Sequence, residues 1–573
     1  MNGQVRADAE SLLHAAALVY QGDPEAQRTI EELEQRLREP LRLAIAGMVK
    51  AGKSTLLNAL LGERIAPTDA GECTRLVTWY RYSATPTITL HLHAGGTRRL
   101  PVRRDQGRVV IDLGGVPPGD VEFIDIGWPI EVLRSMILID TPGIASLSEE
   151  TSARTTRFLL PEETPSSADA VVYLMRHMHA SDLKFLEAFR DTAAGVAQTV
   201  CAVGVLSRSD EIGSGRIDSI LSAAKVARRY ERDAELASLV LGVIPVAGLV
   251  AEGARTLRES EYAAFRELAS LDRADRERLL ISADRFTGET TTTSLSSAER
   301  RELLARYGIF GIRLGTALIR GGAASSSELS EAMVAQSGVV TLRHFIGRQF
   351  RTRSTTLKVR GVLLGLQKLV RENPRNGDEA IVAGIEQIHA RVHGLRELTM
   401  LARARSEGLP LSDEDTADAQ IVLGAAGTSA AVRLGLPDDA DAATLRERAR
   451  TKLAHWRAVA ESPLTERAAV GVCLVVIRSL DEIATDLARA EARRLPPSAK
   501  TESEGDSKSD GNGSGVSVAD DALAATPDID LARRPGDGLG HDAAQQREED
   551  EARLGGEKKK KRFASLTQRH PLR

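Results

Sequence analysis

The chain reads as an α/β domain, with a mostly parallel sheet and helices on both faces, followed by an elongated α-helical bundle and a disordered C-terminal tail. Three observations predict this. Short apolar runs of strand length alternate with helical stretches between residues 41 and 320, the pattern of a mostly parallel sheet. From 325 to 495 apolar residues recur at three- and four-residue steps, as a packed helix demands. Beyond about Leu495 the composition shifts to Ser, Gly, Asp, Glu and Lys, with too little apolar surface to offset the entropy of ordering. The expected division is N-terminal helices at 1–39 joining the helical body, an α/β domain at 40–320, a bundle at 321–497 and a tail at 498–573.

Composition narrows the function. Of 573 residues, 42 % are apolar and 27 % charged, an ordinary globular balance. Aromatics make up only 3 %, and the abundance of Ala, Leu and Arg favours helix. A net charge of −4 does not suit a polyanion binder, so no nucleic-acid partner is expected. Cys73, Cys201 and Cys473 lie far apart, without metal-ligand spacing. Cys201 and Cys473 sit in apolar runs and read as small buried hydrophobes of a reducing compartment. The N-terminus lacks a signal-peptide pattern, and the longest apolar run, Ala468–Ile477, is about half of what a bilayer crossing requires. A cytoplasmic location is therefore expected, with any membrane contact peripheral, on the inner face of the cell membrane.

Taken in order, Leu12, Leu13, Ala16 and Val19 line one face of a first helix. Asp23-Pro24 supplies an N-cap and a proline at the first helical position of a second, with Ile30, Leu33 and Leu37 on its stripe. Pro40 closes the pair. Strands are expected at Leu41–Ala46, Leu76–Tyr82, Thr87–His91, Met136–Asp140, Ala170–Leu174, Val200–Leu206 and Leu239–Pro245, with a helix at Ser54–Leu61. In the bundle, Ile381, Ile385, Ile388, Val392 and Leu395 mark one helix, and Val470, Cys473, Ile477, Leu480 and Leu487 another. Asn373-Pro374 breaks the run between two long helices, and Ser462-Pro463 starts the last one.

The chemistry starts at Gly47-Met48-Val49-Lys50-Ala51-Gly52-Lys53-Ser54, which fits G-x-x-x-x-G-K-[ST] between a predicted strand and a predicted helix that continues through Thr55. Its glycines let backbone N–H groups wrap a β-phosphate at a helix N-terminus. Lys53 neutralises β/γ oxygens, and Ser54 can ligate Mg²⁺. Asp140-Thr141-Pro142-Gly143 ends a second buried strand. There Asp140 can hold Mg²⁺ through water, and the Gly143 N–H can sense a γ-phosphate. Between them, Thr74 stands where such proteins complete the Mg²⁺ shell; position alone picks it over Thr68 and Thr78. Ser207-Arg208-Ser209-Asp210 follows another strand. A carboxylate at Asp210 accepts from both N1–H and the 2-amino group of guanine, a donor pair that adenine lacks. Val246-Ala247-Gly248 could offer an N–H to the guanine O6. The nucleotide implied is GTP, with Mg²⁺.

Two features depart from a small switch GTPase. Lys53 and Asp140 are about 87 positions apart, so the sheet carries an insertion. Ile144 also follows DTPG where a water-positioning glutamine is usual.

In LRLAIAGMVKAGKSTLLNALLG, IAPTDAGECTRLVTW, ILIDTPGIASL and GVLSRSDEIGSGRID, supported by YGIFGIRL and GTSAAVRLGL, the chain resembles the bacterial dynamin-like GTPases. It looks closest to the isoniazid-inducible group of actinobacteria. The resemblance covers roughly residues 1–495. It implies a GTPase head, a helical neck and trunk, self-association through heads, membrane remodelling at the trunk tip and room for a paralogous dynamin-like partner. By motif position, Gly47, Lys53, Ser54, Thr74, Asp140, Gly143 and Asp210 carry over. Val49 departs from dynamin's glutamine, and Arg208 stands where lysine is usual, though an arginine can still lie flat on a base. Lys50 occupies the place where guanylate-binding proteins carry an arginine finger. Lys50, Lys53, Thr74 and Gly143 are thus the candidate catalytic residues, and Ser54, Thr74 and Asp140 the metal set.

The alternative function is a regulatory GTP switch on the ribosome or another assembly, which would want a basic RNA-binding domain that 325–495 does not offer. Lipid contact is expected at an inter-helix loop, Asn373–Asp378 or Leu423–Leu436. A basic cluster, Lys558–Arg562 with Phe563, lies in the tail.

Overall fold

Leu41 and the apolar run Leu43–Ala46, interrupted only by Arg42, are buried in the centre of a sheet as strand β1 (Leu41–Gly47). In the computed structural model, residues 2–67, 76–105, 107–143, 168–194 and 201–494 are described. The tail, with its basic cluster, and Cys73 lie outside them.

Two helices precede β1. Helix α1 (Asn2–Val19) leads to α2 (Pro24–Arg38), whose N-cap Asp23 accepts from the N–H groups of Glu25 and Ala26. After β1 come α3 (Lys53–Leu61), β2 (Val77–Tyr82), β3 (Thr87–Leu92), β4 (Thr97–Leu100), the hairpin of β5 (Arg103–Asp105) and β6 (Arg108–Val110), β7 (Val121–Trp128), α4 (Val132–Ser135) and β8 (Met136–Asp140). Then follow β9 (Ala170–Met175), α5 (Ala180–Ala194), β10 (Ala202–Ser207), α6 (Ser219–Glu231), α7 (Ala234–Leu239) and β11 (Val243–Val246).

Among the described residues the main sheet runs β11-β10-β9-β1-β8-β2-β7-β3-β4. Strands β11, β10, β9, β1 and β8 are mutually parallel; β2 pairs antiparallel with β8 and parallel with β7, and β3 is antiparallel to both β7 and β4. The mostly parallel α/β fold is as the sequence indicates, and the expected insertion is β3 to β7. Strand β7 was not foreseen, although Val121, Ile124 and Ile126 are buried. The strand expected at Leu239–Pro245 begins only at Val243, because Asp233 caps a helix that runs to Leu239.

The strand order reverses at β1. The chain leaves it towards β8 and returns on its other side with β9 and β10, so right-handed crossovers put helices on both faces. A ligand cleft is expected at the carboxyl ends of the strands beside such a reversal.

Helices α8 (Gly248–Arg255), α9 (Glu259–Ser270), α10 (Arg273–Leu279), α11 (Ala283–Thr287), α12 (Ser297–Arg320) and α13 (Ser326–Gln336) share a core built on Phe265, Phe286, Tyr307 and Phe310. This core crosses residue 320, where the sequence suggests a boundary, because Leu329 and Met333 of α13 pack into it. Then α14 (Val339–Ile346) passes through a π-helical turn, Gly347–Arg351, into α15 (Ser354–Glu372) and α16 (Asp378–Arg391). The apolar faces of α1 and α2 pack on α15 and α16, with Leu13, Ile30, Leu33, Leu363, Leu366, Ile381 and Ile385 in one core.

A last core joins α17 (His393–Ser406), α18 (Asp413–Val422), α19 (Ala430–Arg433), α20 (Ala442–Glu461) and α21 (Arg467–Arg494). The stripe on α21 is rotated from the expected one: Val472, Cys473, Val476, Leu480 and Ile483 are buried.

Of the two loops considered for lipid contact, Asn373–Asp378 is exposed from Pro374 to Gly377, and Leu423–Leu436 is largely packed. Asn373 and Arg375 donate to Asp23 at 2.6 and 2.8 Å. Leu423 and Leu434 are fully buried, and the Leu423 and Gly424 carbonyls accept from Arg353.

Candidate functional site

The segment Gly47–Ser54 joins β1 to α3. Gly47 has φ +145°, and a Cβ there would lie 2.4 Å from the Leu174 carbonyl oxygen of β9. Only glycine fits. Lys50 (φ 62°) and Gly52 (φ 95°) are left-handed, and the Ala51 N–H donates to the Met48 carbonyl at 3.2 Å. Such a turn ahead of a helix N-terminus makes an anion-binding concavity. Lys53 is buried beneath it and donates to the carbonyls of Gly47 and Met48, both at 3.2 Å. Burial pushes its ammonium down, and Asp140 opposes that.

Parallel pairing of β1 with β8 sets Ile45 opposite Asp140. Ser54 Oγ donates to Asp140 Oδ2 at 2.8 Å. Among the described residues, Asp140 Oδ1 is buried and meets no hydrogen-bond partner. Burial pushes this carboxyl up, while Lys53 and Ser54 favour the charged form. A hydroxyl beside a carboxylate with a free buried oxygen is an all-oxygen donor set that suits Mg²⁺ with several retained waters. Thr141 donates from N and Oγ1 to the Ile45 carbonyl, at 3.3 and 2.9 Å, fixing the turn after β8. The turn then meets the phosphate loop closely, since a Cβ on Gly143 would lie 2.8 Å from Val49 Cα. Met48 is half-buried, whereas Val49 and Lys50 are exposed. Thr74, Thr68 and Ile144 lie outside the described residues. Thr78 is inside β2, buried and paired in register with Asp140, so it is a sheet residue rather than a loop ligand.

A cleft of about 140 Å³ opens beside the loop, lined by Ala51, Gly52, Thr55, Leu174, Ser207, Arg208, Asp210, Val246 and Gly248 among others. Asp210 is buried, and its carboxyl is pushed up to about 6, chiefly by burial; its own backbone N–H works against this. Arg208, at φ 51°, donates to the Lys50 carbonyl at 3.0 Å and to Glu211 at 2.8 Å. It thereby ties the Ser207–Asp210 loop to the phosphate loop. Ser207 Oγ and Ser209 Oγ donate to the carbonyls of Met175 and Leu206, so both hydroxyls hold the loop in shape.

Of the next segment, Val246, Gly248 and Leu249 line the cleft, but Ala247 does not. The Ala247 N–H donates to the Ser337 carbonyl at 2.9 Å. It is spent inside the fold, which corrects the expectation that it could serve a ligand. Lys53, Ser54, Asp140 and Gly143 thus meet around the phosphate loop, whose Ala51 and Gly52 line the cleft together with Arg208, Asp210 and Val246.

One neighbour of Asp210 escaped the sequence reading. Gly308 breaks helix α12 with φ 63° and ψ 170°, and its Cα hydrogen direction faces Asp210, where a Cβ would sit 3.7 Å from Oδ2. The phrase YGIFGIRL held the signal, as a glycine inside a long helical pattern.

The chain is similar to several known proteins. Residues 43–106 match the family model described as the dynamin family. The isoniazid-induced protein IniC of Mycobacterium tuberculosis is 38 % identical over 494 residues, spanning 84 % of this chain and 98 % of that protein. IniA, an isoniazid-induced protein of the same organism, is 36 % identical over 146 residues, 24 % of this chain and 22 % of that protein. The bacterial dynamin-like protein of Nostoc punctiforme is 31 % identical over 114 residues, 18 % of this chain and 16 % of that protein. The solved structure of an oligomerised bacterial dynamin pair covers 86 % of this chain and 75 % of its own, at 12 % identity and a TM-score of 0.31, a likeness too slight to argue from.

Proposed function

The chain belongs to the bacterial dynamin-like GTPases, and we propose that it hydrolyses GTP with Mg²⁺ in the cleft beside β1 and couples turnover to head association and work on an anionic membrane. The observation that carries the nucleotide reading is the meeting of Lys53, Ser54 and Asp140, with Asp140 Oδ1 left free. In this reading the Asp210 carboxylate selects guanine, and the Gly47–Ser54 backbone cradles the phosphates. Lys53 exchanges its two loop carbonyls for phosphate oxygens. Ser54 Oγ would hold Mg²⁺ directly and Asp140 through water, and the ion would supply charge neutralisation at the β- and γ-phosphates. In this reading Lys50, on the exposed lip, would turn inward when a second head covers the cleft and offset charge developing between those phosphates.

The membrane part rests on a different feature. Among the described residues no helix is long and apolar enough to cross a membrane. The turn between α20 and α21 presents Leu464 at 94 % exposure, the most exposed large apolar side chain described. This turn joins Asn373–Asp378 and Leu423–Leu436 as a lipid-contact candidate.

The test is GTP turnover of the full chain with Mg²⁺ or with EDTA, and with anionic liposomes, neutral liposomes or ribosomes added. Turnover that needs Mg²⁺ and rises with anionic liposomes is expected, and Leu464→Glu should abolish the liposome response while sparing basal turnover. Stimulation by ribosomes alone would favour the regulatory switch instead.

A further inference from the structure

A second cavity lies away from the nucleotide cleft, with a volume of about 450 Å³. Its apolar wall is Leu60 and Leu61 at the end of α3, Met136 and Leu138 of β8, and Ile346 at the end of α14. Its polar side carries two guanidiniums, Arg343 of α14 and Arg351 of the π-helical turn. Among the described residues neither meets a carboxylate. Arg343 donates to the Leu60 carbonyl in the last turn of α3, which leaves most of its donors unused. Arg351 folds back along Gly347, with Nη2 3.7 Å from where a Cβ would stand. The acid at the rim, Glu131, is paired with Arg134 at 2.9 Å. Burial, with Arg255 nearby, pushes the Arg343 guanidinium down to about 10, so it is still a cation at neutral pH.

We propose that this cavity binds a single-chain anionic amphiphile, its alkyl chain against Leu61, Leu138 and Ile346 and its acidic head on Arg343 and Arg351. The volume is in the range of small-molecule sites, and an apolar chamber with a few convergent polar groups is their usual make-up. A neutral apolar ligand would leave the half-buried Arg343 without an anionic partner, and a bare inorganic anion would leave the apolar wall wet. An alkyl carboxylate or alkyl phosphate satisfies both. The position matters, because α3 begins with Lys53 and Ser54, β8 ends with Asp140, and α14 leads through the π-helical turn into α15. A ligand here touches the far ends of the elements that form the phosphate site.

The experiment is calorimetric titration of the purified full chain with decanoate, decyl phosphate, decanol and decyltrimethylammonium, each below its micelle concentration. Saturable binding of decanoate or decyl phosphate at one per chain is expected, at least tenfold tighter than decanol, with none for the cation. The ratio of the two acids shows whether carboxylate or phosphate is the preferred head. Arg351→Glu, on an exposed side chain, should weaken binding at least tenfold through loss of a charge-assisted contact. Val132 also lines the cavity, and Val132→Trp should fill it and abolish binding. Both variants should keep wild-type affinity for a non-hydrolysable GTP analogue, which reports an intact fold and keeps this test apart from that of the GTPase reading. Absence of binding to the wild-type chain, equal affinity for decanol, or binding that survives both substitutions would each overturn the proposal.

Discussion

Arg36 of α2 and Asp169, just before β9, meet through a single carboxylate oxygen, with Oδ1 3.0 Å from Nε and 2.7 Å from Nη2. The other oxygen accepts the Arg42 backbone N–H of β1 at 2.9 Å. Both side chains are buried. The pair fastens the second N-terminal helix to the foot of the sheet.

Removing one partner should therefore leave a buried charge unpaired. Asp169→Ala is expected to cost about 3–5 kcal/mol, read as a lower urea midpoint with an unchanged slope. Replacing both residues by apolar ones of similar size should recover much of that loss. A cost within 0.5 kcal/mol of zero, as is usual for surface pairs, would contradict the role given to this contact.

Lys53→Ala should weaken binding of a non-hydrolysable GTP analogue by about 2–5 kcal/mol, as expected for truncating one partner of a buried charge pair. In the free protein the ammonium already holds the Gly47 and Met48 carbonyls. The variant should therefore also lose some thermal stability, about 1 kcal/mol for the hydrogen bonds given up. Calorimetry and thermal melts separate the two effects.

Asp210 gives a pH dependence with opposite signs for stability and binding. Its folded pKa, about 6, lies above the ordinary 3.8 because burial penalises the charge. The neutral carboxyl thus stabilises the fold fully below pH 3.8, and that contribution is lost as pH rises through about 6, for a total of about 3 kcal/mol. Base recognition needs the carboxylate, so GDP affinity should fall as pH drops through about 6. Asp210→Asn should remove this step, stabilise the nucleotide-free protein at pH 8 and shift preference from GTP towards XTP. Fluorescent-nucleotide titrations between pH 5 and 8 would test all but the stability, which denaturation at pH 8 would test.

Lys50 combines exposure with a left-handed backbone, and its carbonyl holds Arg208. Lys50→Ala should lower kcat about tenfold or more with GTP affinity within a few-fold, the pattern of a contact made mainly in the transition state. Lys50→Gly should show the same kinetic loss without backbone strain, because glycine adopts φ > 0 freely. Rates are to be compared at high protein concentration. Wild-type turnover there would make Lys50 a solvated lip residue.

What was legible in the sequence is local. The phosphate loop, the DTPG turn and the Asp23-Pro24 helix start each sit within a few consecutive residues, so spacing alone exposes them. What stayed hidden is carried by distant partners. Arg36 and Asp169 are separated by 133 positions, and Arg208 reaches the carbonyl of a residue 158 positions away; an arginine bonded to a main-chain carbonyl leaves no pattern to read. The commitment of the Ala247 N–H to Ser337 is equally silent. On α21 the run Val470–Ile477 is apolar nearly all round, so its period could not say which side faces inward, and the buried stripe settled on Val472 and Val476. The stripe from Ile381 to Leu395 crosses a real break at Val392, hidden because the spacing of apolar residues continues through it.

The packing of α1 and α2 on α15 and α16 also bears on how the chain is made. Leu37 and its core partner Val359 are synthesised 322 residues apart. At about 5–20 residues per second, the first two helices wait roughly 15 to 65 s on the ribosome before their partners exist. During that time Leu13, Ile30 and Leu33 have no native surface to cover them. Most of the sheet around β1 is synthesised in the meantime, although its core also takes Val339, Leu342, Ile346, Phe350 and Leu357 from later helices. The amino-terminal helices can therefore take their native place only after α15 and α16 have been made.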